Sequence, residues 1–200
     1  MNIDNYFKTR RTVRRYSSRE VEPQLLKEML EEASHAPTTG NMQLYSVIVT
    51  RSEEGKRALA PLHFNQPSAT GCSVLLTFCI DYNRFVKWCE ASDAVPGYDN
   101  FQSLMTGALD TCIFAQQFNT IAEMHGYLGT TTYTAPEIAK VLNLPKRVIP
   151  LVTLTVGYPE GDAPVSDRIP VEGIIHEEAY HDYTVEDIRD IYAEKEARED

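Results

Sequence analysis

Cysteine is scarce in this chain of 200 residues, and long apolar runs are absent. The four cysteines, Cys72, Cys79, Cys89 and Cys112, lie far apart with no CxxC pair. That spacing excludes a disulfide framework and a structural zinc site, and fits free thiols in a reducing compartment. The longest apolar stretches, such as Val74 to Ile80, are strand-length and far short of a bilayer span. The opening residues, MNIDNYFKTRR, hold no apolar core of a signal peptide, so a cytoplasmic protein without membrane association is expected. No GxGxxG follows a strand and no Walker loop or GxSxG elbow occurs, which removes the standard dinucleotide, P-loop and hydrolase signatures. His176 and His181 bracket two glutamates, but a separation of five puts them on different faces of a helix, unlike HExxH. Surface histidines are expected there, and no metal. There are no internal repeats, low-complexity tracts or Gly/Ser linkers.

Apolar residues make up 42% and charged residues 24% of the chain, an ordinary globular balance. The length suits one large domain or a tight pair of lobes, able to bury roughly 70% of the surface that its unfolded form exposes. Net charge is −10 but uneven. Residues 1–19 carry six basic side chains (Lys8, Arg10, Arg11, Arg14, Arg15, Arg19) against Asp4, whereas residues 171–200 carry eleven acids against three basic residues. An acidic whole disfavours nucleic acid, because phosphate repulsion acts everywhere except at the N-terminal cluster. A local arginine cluster suits a small anion or an acidic partner segment, and charge alone does not choose between them.

Apolar spacing predicts a short helix over residues 3–9 and a second from Glu22 to Ala36, with Pro23 in its first turn and Leu25, Leu26, Met29, Leu30 and Ala33 at helical spacing. Pro37 and Gly40 break it. Leu44 to Thr50 reads as a strand, and Ser52 caps a helix through Ala60. Residues 61–70 read as a loop, 74–80 as a buried strand and 82–91 as a helix. A long helix from about Asn100 to Met124 is expected to be central, buried through Leu104, Ala108, Thr111/Cys112, Ala115, Phe118/Asn119 and Ala122. Thr134 and Glu137 make a capping box for a helix to Leu142, and Ile149 to Gly157 is a third strong strand. An acidic helix is expected around 184–198. Strands separated by helices imply an α/β or α+β sheet covered by helices. The stretch from Tyr158 to Pro170, with Pro159, Gly161, Pro164 and Pro170, reads as an arm lying on another surface, such as a second subunit.

Five segments could carry chemistry. Arg10-Arg11-Thr12-Val13-Arg14 sets guanidinium groups and a hydroxyl just past a helix end; the planar fork of arginine matches two phosphate oxygens, although a solvated basic edge is the plainer alternative. Residues 37–43, PTTGNMQ, offer hydroxyls and two carboxamides, which donate and accept as a ring edge with alternating N–H and C=O requires; an ordinary turn also explains them. His63-Phe64-Asn65-Gln66-Pro67 has the same ambiguity. Gly126-Tyr127-Leu128-Gly129 follows the long helix, where glycines admit a ligand or simply end the helix. Arg168 is a lone cation in the late arm.

The order of these segments resembles the FMN-dependent nitroreductase family over nearly the whole chain, from about Tyr6 to Tyr183. The most specific pieces are RRTVRRY (10–16), APTTGNMQ (36–43) and VGYP (156–159). The resemblance implies an α+β fold with a mostly antiparallel sheet flanked by helices, in an intertwined cytoplasmic homodimer with FMN at the subunit interface. It implies a domain over residues 1–170 and an acidic arm over 171–200 packing on the partner. Arg10, Thr12 and Arg14, with Arg11 beside them, match residues that hold the FMN phosphate and ribityl chain, and Arg168 matches an arginine closing on the same phosphate. Pro37, Thr38, Thr39, Gly40, Asn41 and Gln43 match a loop that comes from the other subunit and packs along the isoalloxazine. Asn65 matches an asparagine at the pyrimidine edge, and Leu128 and Gly129 match backbone near flavin N5, where this chain is shorter than the usual GLGxxxxG. Thr12 and Thr38 replace the commoner serines and keep the hydroxyl. The implied chemistry is hydride transfer from NADH or NADPH to flavin, then electron transfer to nitroaromatics, quinones or similar acceptors by a ping-pong mechanism. No catalytic side chain is assigned. A specialised FMN enzyme of the same fold, for reductive dehalogenation or flavin cleavage with residues 85–100 as a lid, and a non-catalytic module docking through the basic N-terminus are the alternatives.

Overall fold

In the computed structural model, residues 3–97, 99–125, 130–131 and 135–197 are described. Contacts divide the chain into two units, one containing Thr12–Ala163 and the other Ile3–Arg11 with the chain from Pro164 onward.

The larger unit is built on an antiparallel four-stranded sheet in the order β1-β2-β4-β3, the mostly antiparallel α+β arrangement expected. The strands are β1 (Tyr45–Thr50), β2 (Val74–Asp81), β3 (Thr130–Thr131) and β4 (Val148–Val156). Every residue of β2 is buried, as its continuous apolar run requires of a central strand covered on both faces. The helices are α2 (Pro23–Ala33), α3 (Glu53–Leu59), α4 (Pro67–Gly71), α5 (Asn83–Ala91), α6 (Phe101–His125) and α7 (Ala135–Val141); α1 (Ile3–Thr9) and α8 (Val185–Glu196) belong to the smaller unit. Helix α2 stops at Ala33, three residues short of the expected end. Residues 61–70 are more ordered than a loop: a 3-10 turn spans Ala60–His63, and Pro67 starts α4. Ser52 caps α3 by accepting the Gly55 N–H. The capping box expected at Thr134 lies outside the described residues.

Helix α6 covers the sheet, with Phe114 and Phe118 against Phe78 and Tyr45 stacked on Phe114 at 4.2 Å between ring centroids. Its buried face runs through Ser103, Gly107, Asp110, Thr111, Phe114, Ala115, Phe118, Asn119 and Ala122, which includes Thr111, Ala115, Phe118, Asn119 and Ala122 of the expected face but not its first half. Leu104 and Cys112 are exposed and Ala108 is half-buried. The helix is apolar on two sides, so periodicity alone does not say which one meets the sheet. Gly107 sets the closeness of this packing: a Cβ there would lie 2.5 Å from Cγ2 of Ile80 on β2.

The smaller unit carries a 3-10 turn at Val171–Gly173 and α8, which Thr184 and Asp187 cap reciprocally. The loop between them is not helical. His181 donates its backbone N–H to Nδ1 of His176 at 3.2 Å, and Nε2 of His176 meets the Tyr183 hydroxyl at 3.1 Å. No described helix is long and apolar enough to cross a membrane.

Two stability predictions follow from buried positions. Gly107→Ala should destabilise the protein by about 1–3 kcal/mol, the usual cost of overpacking; denaturant unfolding that matches wild type would contradict the tight α6–β2 contact. His63 is fully buried with neither ring nitrogen partnered, and burial lowers its pKa from 6.5. The unfolded chain therefore binds this proton more readily than the folded one. Stability is complete above the unfolded value and falls as pH drops below it, by at most about 1.4 kcal/mol per pH unit. His63→Leu should remove that part of the loss. Unfolding free energies with the same acidic slope in both proteins would exclude it.

Candidate functional site

The loop from Thr38 into β1 is tightly constrained. Gly40, Asn41 and Gln43 all adopt left-handed backbone conformations, with φ of 56°, 56° and 52°. For non-glycine residues this costs roughly 1–2 kcal/mol each, so Asn41 and Gln43 need compensation from elsewhere.

Asp110 supplies it. From the buried face of α6 its carboxylate accepts the Thr39 N–H at 2.9 Å on one oxygen and the Leu44 N–H at 3.4 Å on the other. Charge-assisted bonds of this type contribute roughly 1.5–3 kcal/mol each, enough to offset the strained backbone. The carbonyl side of the same loop is held by Arg84 of α5, which donates to the carbonyl oxygens of Gln43 and Tyr45. Asp81 anchors α5 by accepting the Arg84 N–H at 3.0 Å and also accepts the Ser46 hydroxyl. Inside the loop, Nε2 of Gln43 donates to Oδ1 of Asn41 at 2.9 Å. Thr39, Gly40, Asn41 and Gln43 are nonetheless exposed. The result is a rigid loop with a polar rim facing outward, a preorganised binding edge.

The turn after the Ala60–His63 segment repeats the device on a smaller scale. Phe64 and Asn65 are consecutive left-handed residues, at φ of 54° and 51°, and both are exposed. The Asn65 N–H closes the turn on the Ala60 carbonyl at 2.8 Å. Two adjacent residues held against their preference, one of them a carboxamide, mark a second candidate binding position.

RRTVRRY and VGYP meet. Tyr16 bridges to Pro159, the Ser17 N–H bonds the Tyr158 carbonyl and the Glu160 N–H bonds the Arg15 carbonyl, both at 2.9 Å. The Tyr16 hydroxyl sits 2.7 Å from Oγ1 of Thr155, and burial pushes its pKa up. Gly157 lets the ring approach, since a Cβ there would lie 2.9 Å from it. Thr12 is half-buried and Arg14 exposed beside this junction. Arg10, Arg11 and Arg168 fall in the smaller unit, where Arg168 is exposed and donates to the carbonyls of Ser166 and Asp167. Leu128 and Gly129 lie outside the described residues. Thiol chemistry has little footing at Cys72 and Cys79, whose pKa values burial pushes up to about 11 and about 12. Among the described residues, no three metal-ligating side chains are grouped to hold an ion.

Asp110, Arg84 and Asp81 escaped the sequence reading. For Asp110 a signal existed: it is the single charged residue between Phe101 and Ala122, and a lone acid inside an apolar helix must find partners when buried. Nothing local distinguishes Arg84 from a surface arginine.

Known proteins bear on this geometry. The Nitroreductase family profile matches residues 7–158. The chain is 30% identical over 185 residues to a Cr(VI) reductase of Pseudomonas sp. strain G-1, covering 90% of this chain and 76% of that protein. It is 31% identical over 183 residues to an NAD(P)H-type FMN reductase of Bacillus subtilis, covering 85% and 71%. Among solved structures, an oxidoreductase from Bacteroides fragilis superposes with a TM-score of 0.94 at 48% identity, over 97% of this chain and 80% of that one. The strained loop, the paired arginine and VGYP segments and the antiparallel sheet thus occur in a chain that belongs to the nitroreductase family.

Proposed function

We propose that this protein is an NAD(P)H-dependent oxidoreductase that holds FMN between two copies of the chain. The observation that carries this reading is the outward polar rim of residues 39–43, held by Asp110 and Arg84. The FMN reductase relative, named for FMN and NAD(P)H, supports the choice of cofactor. The donor set fits. Exposed amide and hydroxyl groups of Thr39, Asn41, Gln43 and Asn65, with half-buried Thr38 beside them, suit a ring edge that both donates and accepts. Thr12 and Arg14, and in the smaller unit Arg10, Arg11 and Arg168, keep the phosphate-side roles that the family resemblance assigns them. Leu128 and Gly129 keep theirs beside the ring. FMN bound there would supply the redox chemistry that links hydride donation by NAD(P)H to reduction of a nitroaromatic, quinone or similar acceptor in a ping-pong cycle. The protein needs only to bind, orient and screen; no side chain has to move a proton.

Two features favour a site shared between copies. The loop before β1 enters the sheet at Tyr45, opposite Ile80, whereas Arg14–Tyr16 joins the far end, where Val74 pairs with Val156. The six-residue separation along β2 is about 20 Å. Helix α6 also turns an apolar stripe outward, with Met105 45%, Leu109 58% and Ile113 41% exposed, the kind of surface a second copy would cover. The acidic arm over 171–200, with Ile174, Ile175 and Ile188 exposed, would pack on that copy.

Purified protein should show flavin absorbance that bleaches on anaerobic addition of NADH or NADPH. Protein that carries no flavin and fails to take up added FMN would refute the reading.

A further inference from the structure

We infer that Asp110, seconded by Arg84, is a positioning residue for flavin binding: it sets the shape of loop 38–44 in advance, so that FMN meets a finished edge. The inference rests on the flavin reading above and goes beyond it, because neither residue is among those to which the family resemblance assigns a flavin contact.

One carboxylate bonds two backbone N–H groups five residues apart, Thr39 and Leu44, which closes the intervening loop into a ring. Such a ring fixes the ends of the loop and leaves its rim free, the opposite of what a direct ligand contact would do. Within it, Gly40, Asn41 and Gln43 lie in the left-handed region, where free chains with Asn and Gln spend little time. Asp110 is buried to 1% exposure on a long helix packed tightly on β2, so the anchor cannot follow the loop if the loop moves. Arg84 restrains the remaining freedom through the carbonyls of Gln43 and Tyr45. A buried carboxylate costs desolvation, and here that cost is met entirely through bonds to one loop.

The consequence is thermodynamic. Without Asp110 the loop samples other conformations, and FMN must select the competent one, so its apparent affinity falls by the fraction lost. Asp110 therefore acts through Asn41 and its neighbours rather than on the flavin.

The test is a double-mutant cycle on FMN affinity of the full-length apoprotein, read by quenching of flavin fluorescence, with Asp110→Asn, Asn41→Ala and the double variant. Asp110→Asn should weaken FMN at least tenfold, and the double variant should be no weaker than the poorer single variant within about twofold, because both losses pass through one loop. At saturating FMN, the visible band of bound flavin in Asp110→Asn should also move toward that of free flavin, a change a merely structural role would not produce. Wild-type affinity in Asp110→Asn, losses that multiply, or an unchanged flavin band would each overturn the inference while leaving the flavin reading intact. A wild-type chain that binds no FMN would instead remove both. Should Asp110→Asn fail to fold, Arg84→Gln, whose side chain is half in solvent, takes its place in the same cycle with the same criteria.

Discussion

Helix α6 approaches β2 so closely at Gly107 that no side chain fits between them, and most of the architecture depends on that approach. It seats Phe114 and Phe118 on Phe78 to form the core. One turn after Gly107 it brings Asp110 under the loop that enters β1. On the opposite side it presents Met105, Leu109 and Ile113 outward. A single helix thus ties the core, the candidate flavin edge and an exposed apolar stripe.

The site itself is an exercise in stored backbone strain. Left-handed Asn41, Gln43, Phe64 and Asn65 would relax in a free peptide; here they persist because the carboxylate of Asp110, the guanidinium of Arg84 and the closed turn on Ala60 over-determine them. Preorganisation of this kind lowers the entropy that a ligand must pay on binding. It also explains how a chain with no assigned catalytic side chain can be a member of an enzyme family: binding geometry is what the protein contributes.

Much of this was legible in the sequence, for identifiable reasons. The β-branched runs of β1, β2 and β4, the Ser52 cap and the Pro37 break act locally, so propensity finds them. The arginine, PTTGNMQ and Asn65 segments stood out because hydroxyls, carboxamides and guanidinium groups were concentrated in loops. The buried face of α6 was right at Thr111, Ala115, Phe118, Asn119 and Ala122 but not at Leu104, Ala108 and Cys112, which are as apolar as the residues that meet the sheet. The pairing of Tyr16 with Pro159, and of Thr39 and Leu44 with Asp110, joins positions 143, 71 and 66 residues apart, and no local pattern encodes such contacts. A lone aspartate between Phe101 and Ala122 was the one visible trace of the last.

The central claim is that loop 38–44 of one copy completes the flavin site begun by Arg14 of the other. Complementation tests it most directly: chains carrying Asn41→Ala with Gln43→Ala, and chains carrying Arg14→Ala, are each measured alone for bound FMN and then mixed under conditions that exchange subunits. A shared site predicts that each mixed dimer regains one intact site, with both substitutions falling together in the other, so bound flavin rises above that of either parent. Mixed dimers that form without regaining flavin would mean that each site is built within a single chain, and the account would be wrong.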